Sequence, residues 1–151
     1  MLRQILLGGG INIVNIAIHA LMMTSVVRVA QRVDERSQSR SAFLLVVVLI
    51  PTVTVLMMTH TSEVFVWASA YTLVDAAPAE PFRDLVYFAF VNYTTLGYGD
   101  IVPTPRWRLL GPMTAMNGVL LFGWSTAVIF EVLRKTLERL EISRVAAVKG
   151  E

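Results

Sequence analysis

The residues best suited to chemistry are the run Thr94-Thr95-Leu96-Gly97-Tyr98-Gly99-Asp100. Two glycines flank a tyrosine, two threonines lie before them and a carboxylate follows. Glycine lacks the Cβ that closes left-handed backbone shapes to other residues, so Gly97 and Gly99 free the chain locally. A chain freed in this way can run extended with its carbonyls turned to one side, and a row of carbonyl oxygens can replace the water around a cation. Thr95 can add a hydroxyl at one end of such a row, and Asp100 a negative charge at the other. A Gly-x-Gly alone is equally the mark of an ordinary turn between helices, so both readings stand at this point.

The composition puts this loop in an apolar setting. The chain has 151 residues, of which 55% are hydrophobic and 16% charged, and its mean hydropathy is +0.61. Soluble domains carry about 25% charged residues. There are no cysteines, hence neither a disulfide framework nor a thiolate metal site. The formal net charge is only +2, and the basic residues gather in short segments instead of forming a nucleic-acid surface. No nucleophile constellation, metal-ligand cluster or phosphate loop is spaced to support an enzyme, and no cofactor is expected.

A bilayer crossing needs about 20 apolar residues. Three stretches are long enough: roughly Gln4 to Val29, Ser41 to Tyr71, and Arg108 to Leu133. Pro81 to Thr94 is too short, reaching roughly 21 Å as a helix. With Pro81 in its first turn and Phe82, Leu85, Tyr87, Phe88 and Phe90 along it, it reads as a re-entrant helix leading into the loop.

The run Thr95 to Asp100, set between membrane-length apolar segments, resembles the selectivity filter of potassium channels, which usually reads Thr-Val-Gly-Tyr-Gly-Asp. Leu96 departs from the Val or Ile usual at its position. The resemblance covers about Ser41 to Lys135 and is to small prokaryotic-type potassium channels of the two-helix pore-domain (ion channel) family, with an extra N-terminal hydrophobic segment here. It implies an all-α membrane protein with an outer helix, a re-entrant pore helix and filter, and an inner helix, preceded by one extra helix. It implies K⁺ as the permeant ion at the carbonyls of Thr95, Leu96, Gly97 and Tyr98, with Gly99 completing the filter and Asp100 at the outer mouth. One loop cannot surround an ion, and the family's solution is a homotetramer, so the implied partners are three identical subunits and membrane lipid, with no nucleic acid. In the inner helix, the resemblance makes Gly118 and Gly123 candidate gating hinges, with close helix packing as the other reading of such small residues. Asn117, Ser125 and Thr126 are candidates to line a water-filled cavity. The expected activity is passive, potassium-selective conduction, with a weakly selective cation channel or a non-conducting regulatory or scaffold subunit as alternatives. Ion-uptake transporters with filter-like loops carry four unlike loops in one long chain, against the single intact run here.

The resulting division is 1–40 for the N-terminal helix and basic linker, 41–135 for the pore domain and 136–151 for a short tail. The resemblance points to a bacterial inner membrane. Charge offers a separate test of topology. If Asp100 faces outside, the external connections hold Asp75, Glu80, Asp84 and Asp100 against Arg83 and Arg106. The internal linker holds Arg32, Arg36 and Arg40, with Arg28 just before it, and the tail holds Arg134, Lys135, Arg139, Arg144 and Lys149. That is the positive-inside pattern. Three crossings then put the N-terminus outside and the C-terminus in the cytoplasm.

Polar residues inside the apolar segments are costly and need partners or water. Gly8, Asn12, Asn15 and His19 share one face of a helix, which reads as a packing stripe, as a face carrying a pH-sensitive imidazole, or as the polar side of a helix lying at the membrane surface. In the second segment Pro51 removes a backbone donor and favours a kink. His60, Glu63, Trp67 and Tyr71 are expected to project into the outer membrane interface, with proton sensing as the other reading of His60 and Glu63. Glu131 either concentrates cations near the inner mouth or pairs with Arg134 or Lys135. Leu133, Leu137 and Leu140 suit a short extension of the inner helix into a bundle.

Overall fold

The computed structural model describes residues 1–36 and 43–149. Arg40 of the expected linker and Ser41 at the expected start of the second segment lie outside the described residues.

Among the described residues the chain forms four helices and no strand: α1 (Leu2–Arg36), α2 (Phe43–Leu73), α3 (Phe82–Tyr93) and α4 (Leu110–Lys149). Portions of α1, α2 and α4 are long and apolar enough to cross a membrane: Leu2–Val29, Phe43–Leu73 and Leu110–Ile142. At about 1.5 Å per residue, the 31 residues of α2 reach roughly 46 Å, beyond a hydrocarbon core of about 30 Å. The 12 residues of α3 reach only roughly 18 Å. The expected all-α architecture of an extra helix, outer helix, short re-entrant helix and inner helix is therefore present.

Pro51 does not interrupt α2. Around it the hydroxyls of Thr52 and Thr54 donate to the carbonyls one turn back, of Val48 and Ile50, both at 2.8 Å. Helix α2 ends in a Schellman turn. Ala76 N–H donates to Tyr71 O at 3.0 Å and Asp75 N–H to Thr72 O at 3.1 Å, with Asp75 in the left-handed region at φ 54°.

The described chain divides into two compact units, Met1–Ala20 with Thr59–Gly123, and Leu21–Met58 with Trp124–Glu151. The core of the first unit gathers Ile11, Val64, Trp67, Tyr71, Leu85, Phe88, Tyr93 and Leu110 with several alanines. Tyr71 and Phe88 rings lie 5.0 Å apart, tilted by 60°, an arrangement that adds to area burial. In the second unit Leu44, Val48 and Val132 form one apolar cluster, and Met23, Val26 and Leu56 another. Leu140 packs on the first of these clusters within the chain, while Leu137 is exposed. Glu131 pairs with both expected cations, at 2.8 Å to Arg134 and 3.3 Å to Lys135.

Candidate functional site

Helix α3 delivers the loop. Pro81 is its N-cap and Asp84 sits in its first turn, where a carboxylate suits the positive end of the helix dipole. Its far end is a second Schellman turn: Leu96 N–H donates to Val91 O and Thr95 N–H to Asn92 O, both at 2.9 Å. Thr95 takes the left-handed position of that turn, φ 62°, where glycine or asparagine is usual. A threonine held there is strained by its branched side chain. Thr94 Oγ1 closes the end further by donating to Phe90 O at 2.8 Å.

Beyond Thr95 the sign of φ alternates. Gly97 has φ 61° and Gly99 φ 77°, while Leu96 and Tyr98 keep negative values. Left- and right-handed residues in turn rotate successive peptide planes the same way, the pattern by which backbone groups of one kind line a concave surface. Every residue from Thr94 to Asp100 is exposed in the single chain. Asp100 is anchored back to α3: Tyr87 O–H donates to its Oδ2 at 2.7 Å, and Ile101 N–H to its Oδ1 at 3.1 Å. The hydrogen bond from Tyr87 holds the Asp100 carboxyl below its ordinary pKa.

The inner-helix candidates fall into different settings. Gly118 is buried, and a Cβ built there would collide with the carbonyl oxygen of Tyr93, the last residue of α3. Gly123 is exposed, with nothing within 4 Å of the same position. Asn117 differs from its expected place at a cavity wall. It is 1% exposed inside the first unit, with its Oδ1 accepting from Asn15 Nδ2 at 2.8 Å and from Trp67 Nε1 at 2.9 Å. Ser125 is buried and Thr126 exposed, both in the second unit.

His60, Glu63, Trp67 and Tyr71 do not project outward as expected but pack inside the protein. Glu63, Trp67 and Tyr71 are fully buried and His60 nearly so. Tyr71 O–H bonds the Thr114 hydroxyl at 2.5 Å. The Glu63 carboxylate is the hub of a polar cluster. Its Oε1 lies 2.8 Å from His19 Nδ1, and its Oε2 lies 3.1 Å from His60 Nδ1 and accepts from Tyr93 O–H at 2.5 Å. Burial in an apolar segment forces such groups together, because an unpaired carboxylate or imidazole there is costly. The stripe on α1 therefore faces protein: Gly8, Asn15 and His19 are buried and Asn12 partly so. The signal that could have found this cluster was the presence of three ionisable residues, His19, His60 and Glu63, inside apolar segments.

The N-terminal end of α1 lies beside the start of α4, where Leu109 N–H donates to Gln4 Oε1 at 2.9 Å. Residues 43–135 match the sequence model of a family described as ion channel. Among curated proteins and solved structures no match to the chain is found.

Proposed function

The chain belongs to the ion-channel family, a family of membrane proteins that pass ions and are not enzymes, and from that premise we propose that it is a potassium-selective channel whose pore forms at the centre of a homotetramer. The observation that carries this reading is the loop Thr95–Gly99, with alternating φ sign at the end of a short helix and exposed in the single chain. Non-helical backbone at membrane depth persists only when buried by protein or lining water. A ring of four such loops meets that requirement, with carbonyls of Thr95, Leu96, Gly97 and Tyr98 inward to replace the hydration of K⁺. The C-terminal end of α3 points its partial negative charge toward this loop, which favours a cation. Asp100, kept ionised by Tyr87, adds negative charge at the outer mouth.

In this reading the N-terminus of α1 is external. The arginines before and within the linker support that placement, as does the Gln4–Leu109 contact, which puts the start of α1 beside the chain that leaves the filter. A membrane-impermeant label reacts with a cysteine introduced at Gln4 in intact cells and not with one at Ser37. The reverse pattern overturns the external N-terminus and leaves the pore reading standing.

The decisive experiment is flux through purified protein in liposomes, with K⁺ and Na⁺ exchanged and Ba²⁺ as blocker. Barium-sensitive flux that strongly prefers K⁺, from particles with the mass of four chains, is the expected result. Comparable Na⁺ and K⁺ flux gives the weakly selective channel instead, a reading motivated by Leu96, which stands where the family usually has Val or Ile. No flux at all makes the chain a non-conducting subunit.

A further inference from the structure

The His19–His60–Glu63 cluster is not part of the filter, and nothing in conduction through the loop requires it. Its three groups each turn a ligand atom to a common point. One ring nitrogen of His19, one of His60 and a Glu63 carboxylate oxygen lie within 4.8 Å of one another, and all three residues are buried. We propose that these residues form an intrasubunit site for a divalent transition metal ion, with Zn²⁺ the best-suited occupant. The inference stands on these side chains alone and holds whichever ion the loop passes.

The donor set selects the metal. Two imidazole nitrogens and one carboxylate suit Zn²⁺, as well as Cu²⁺ and Ni²⁺, while Ca²⁺ and Mg²⁺ require shells made of oxygen. The chain has no cysteine, so no thiolate competes for the ion elsewhere. Zinc bonds to nitrogen and oxygen run about 2.0–2.2 Å, so tetrahedral neighbours stand roughly 3.3–3.5 Å apart. His19 Nδ1 stands 2.8 Å from one Glu63 oxygen and His60 Nδ1 3.1 Å from the other, and with the three ligand atoms within 4.8 Å of one another a shared ion is reached by rotation of these side chains. Zn²⁺ bound at a ring nitrogen takes each imidazole as the neutral tautomer whose proton sits on the other nitrogen, so a proton at the ligating nitrogen moves to the far one on binding.

The surroundings match a ligand's needs as well. Metal-bound carboxylates are commonly held by a hydrogen bond from a neighbour, and Tyr93 O–H supplies one to Glu63 Oε2. The same hydroxyl lies 2.9 Å from His60 Nδ1, so it borders both ligand residues. An ion here ties α1 to α2 beside the last residue of α3, three elements that otherwise meet through side-chain hydrogen bonds.

The sequence makes the test clean, because it contains only two histidines. Purified full-length chain, free of any histidine tag, is equilibrated with Zn²⁺ and assayed for bound metal, and the zinc is then studied by X-ray absorption. The expected result is one zinc per chain with two imidazoles in its shell. Sub-stoichiometric zinc, or zinc without imidazole scattering, overturns the proposal without recourse to any mutant. His19→Gln and Glu63→Gln, checked for helix content and monodispersity, each weaken zinc binding by about tenfold or more. Unchanged affinity in both variants likewise overturns it. Potassium flux is not the readout, so this result is separate from the test of the pore.

Discussion

The loop from Thr94 to Asp100 and the cluster around Glu63 flank the same residue, Tyr93, and are built in opposite ways. The loop is polar, exposed throughout and made of backbone. The cluster is polar, buried and made of side chains from α1, α2 and α3. Within one chain the cluster is complete, because each Glu63 oxygen has partners at hydrogen-bond distance. The loop is left exposed in the single chain. A polar group at membrane depth must be satisfied, so in the proposed tetramer the contrast would separate what one chain satisfies alone from what assembly satisfies.

The sharpest way to break this contrast is at Gly99. A methyl there meets nothing within 4 Å, so only the backbone conformation at φ 77° opposes it. Left-handed backbone costs an ordinary residue about 1–2 kcal/mol, and a tetramer would bear that cost in every chain. Gly99→Ala is expected to abolish potassium-selective flux while membrane insertion, read by fractionation, is unchanged. Normal selectivity in this variant would remove the loop from the pore.

Next in size is the pair Gly118 and Gly123. An added methyl at Gly118 must displace the end of α3 at the Tyr93 carbonyl, an overpacking that costs about 1–3 kcal/mol. Gly118→Ala should lower the thermal unfolding midpoint in detergent clearly, and Gly123→Ala should not. If Gly118→Ala instead leaves stability intact and changes open probability, the residue bends and does not pack. A gating change in Gly123→Ala alone assigns the hinge to Gly123.

A smaller effect is expected inside the buried network. Trp67→Phe keeps the ring and removes the donor to Asn117 Oδ1, a loss of about 0.6–1.5 kcal/mol for an interhelical hydrogen bond. Unfolding in denaturant should register it while flux selectivity stays the same. A loss of selectivity would mean that the network shapes the filter as well as the fold.

The smallest change concerns the loop's outer end. The Tyr87 hydroxyl lowers the Asp100 pKa. A carboxylate with a lowered folded pKa contributes stability above its unfolded value, about 3.9, and that contribution fades as pH falls through the folded value. Tyr87→Phe removes the donor, so the acid midpoint of flux should move upward toward the ordinary carboxylate range. A midpoint shifted downward or unmoved would show that Asp100 does not govern it.

The two regions differed as much in legibility as in construction. The loop was readable because its needs are local: glycines where φ is positive, a short apolar helix before it and a carboxylate after it. The ends of α3 were within a residue of expectation for the same reason. The ionisable residues inside apolar segments were legible, but not their meeting, because His19 and Glu63 stand 44 positions apart and Glu63 and Tyr93 stand 30 apart. Trp67 and Tyr71 looked like interface anchors by type, yet both are core residues, since an aromatic with a polar tip suits a buried hydrogen bond as well as a headgroup.

The sequence by itself determined the membrane-length segments, the short helix before the loop and the backbone freedom within it, because hydropathy and glycine act over neighbouring residues. Only the tertiary structure decided that the polar face of α1 meets His60 and Glu63, that Asn117 is bonded inside the subunit and that Gly118 lies against Tyr93. Those outcomes depend on which helix faces pack together, and the apolar majority of each segment leaves that choice open until every buried polar group must find its partner.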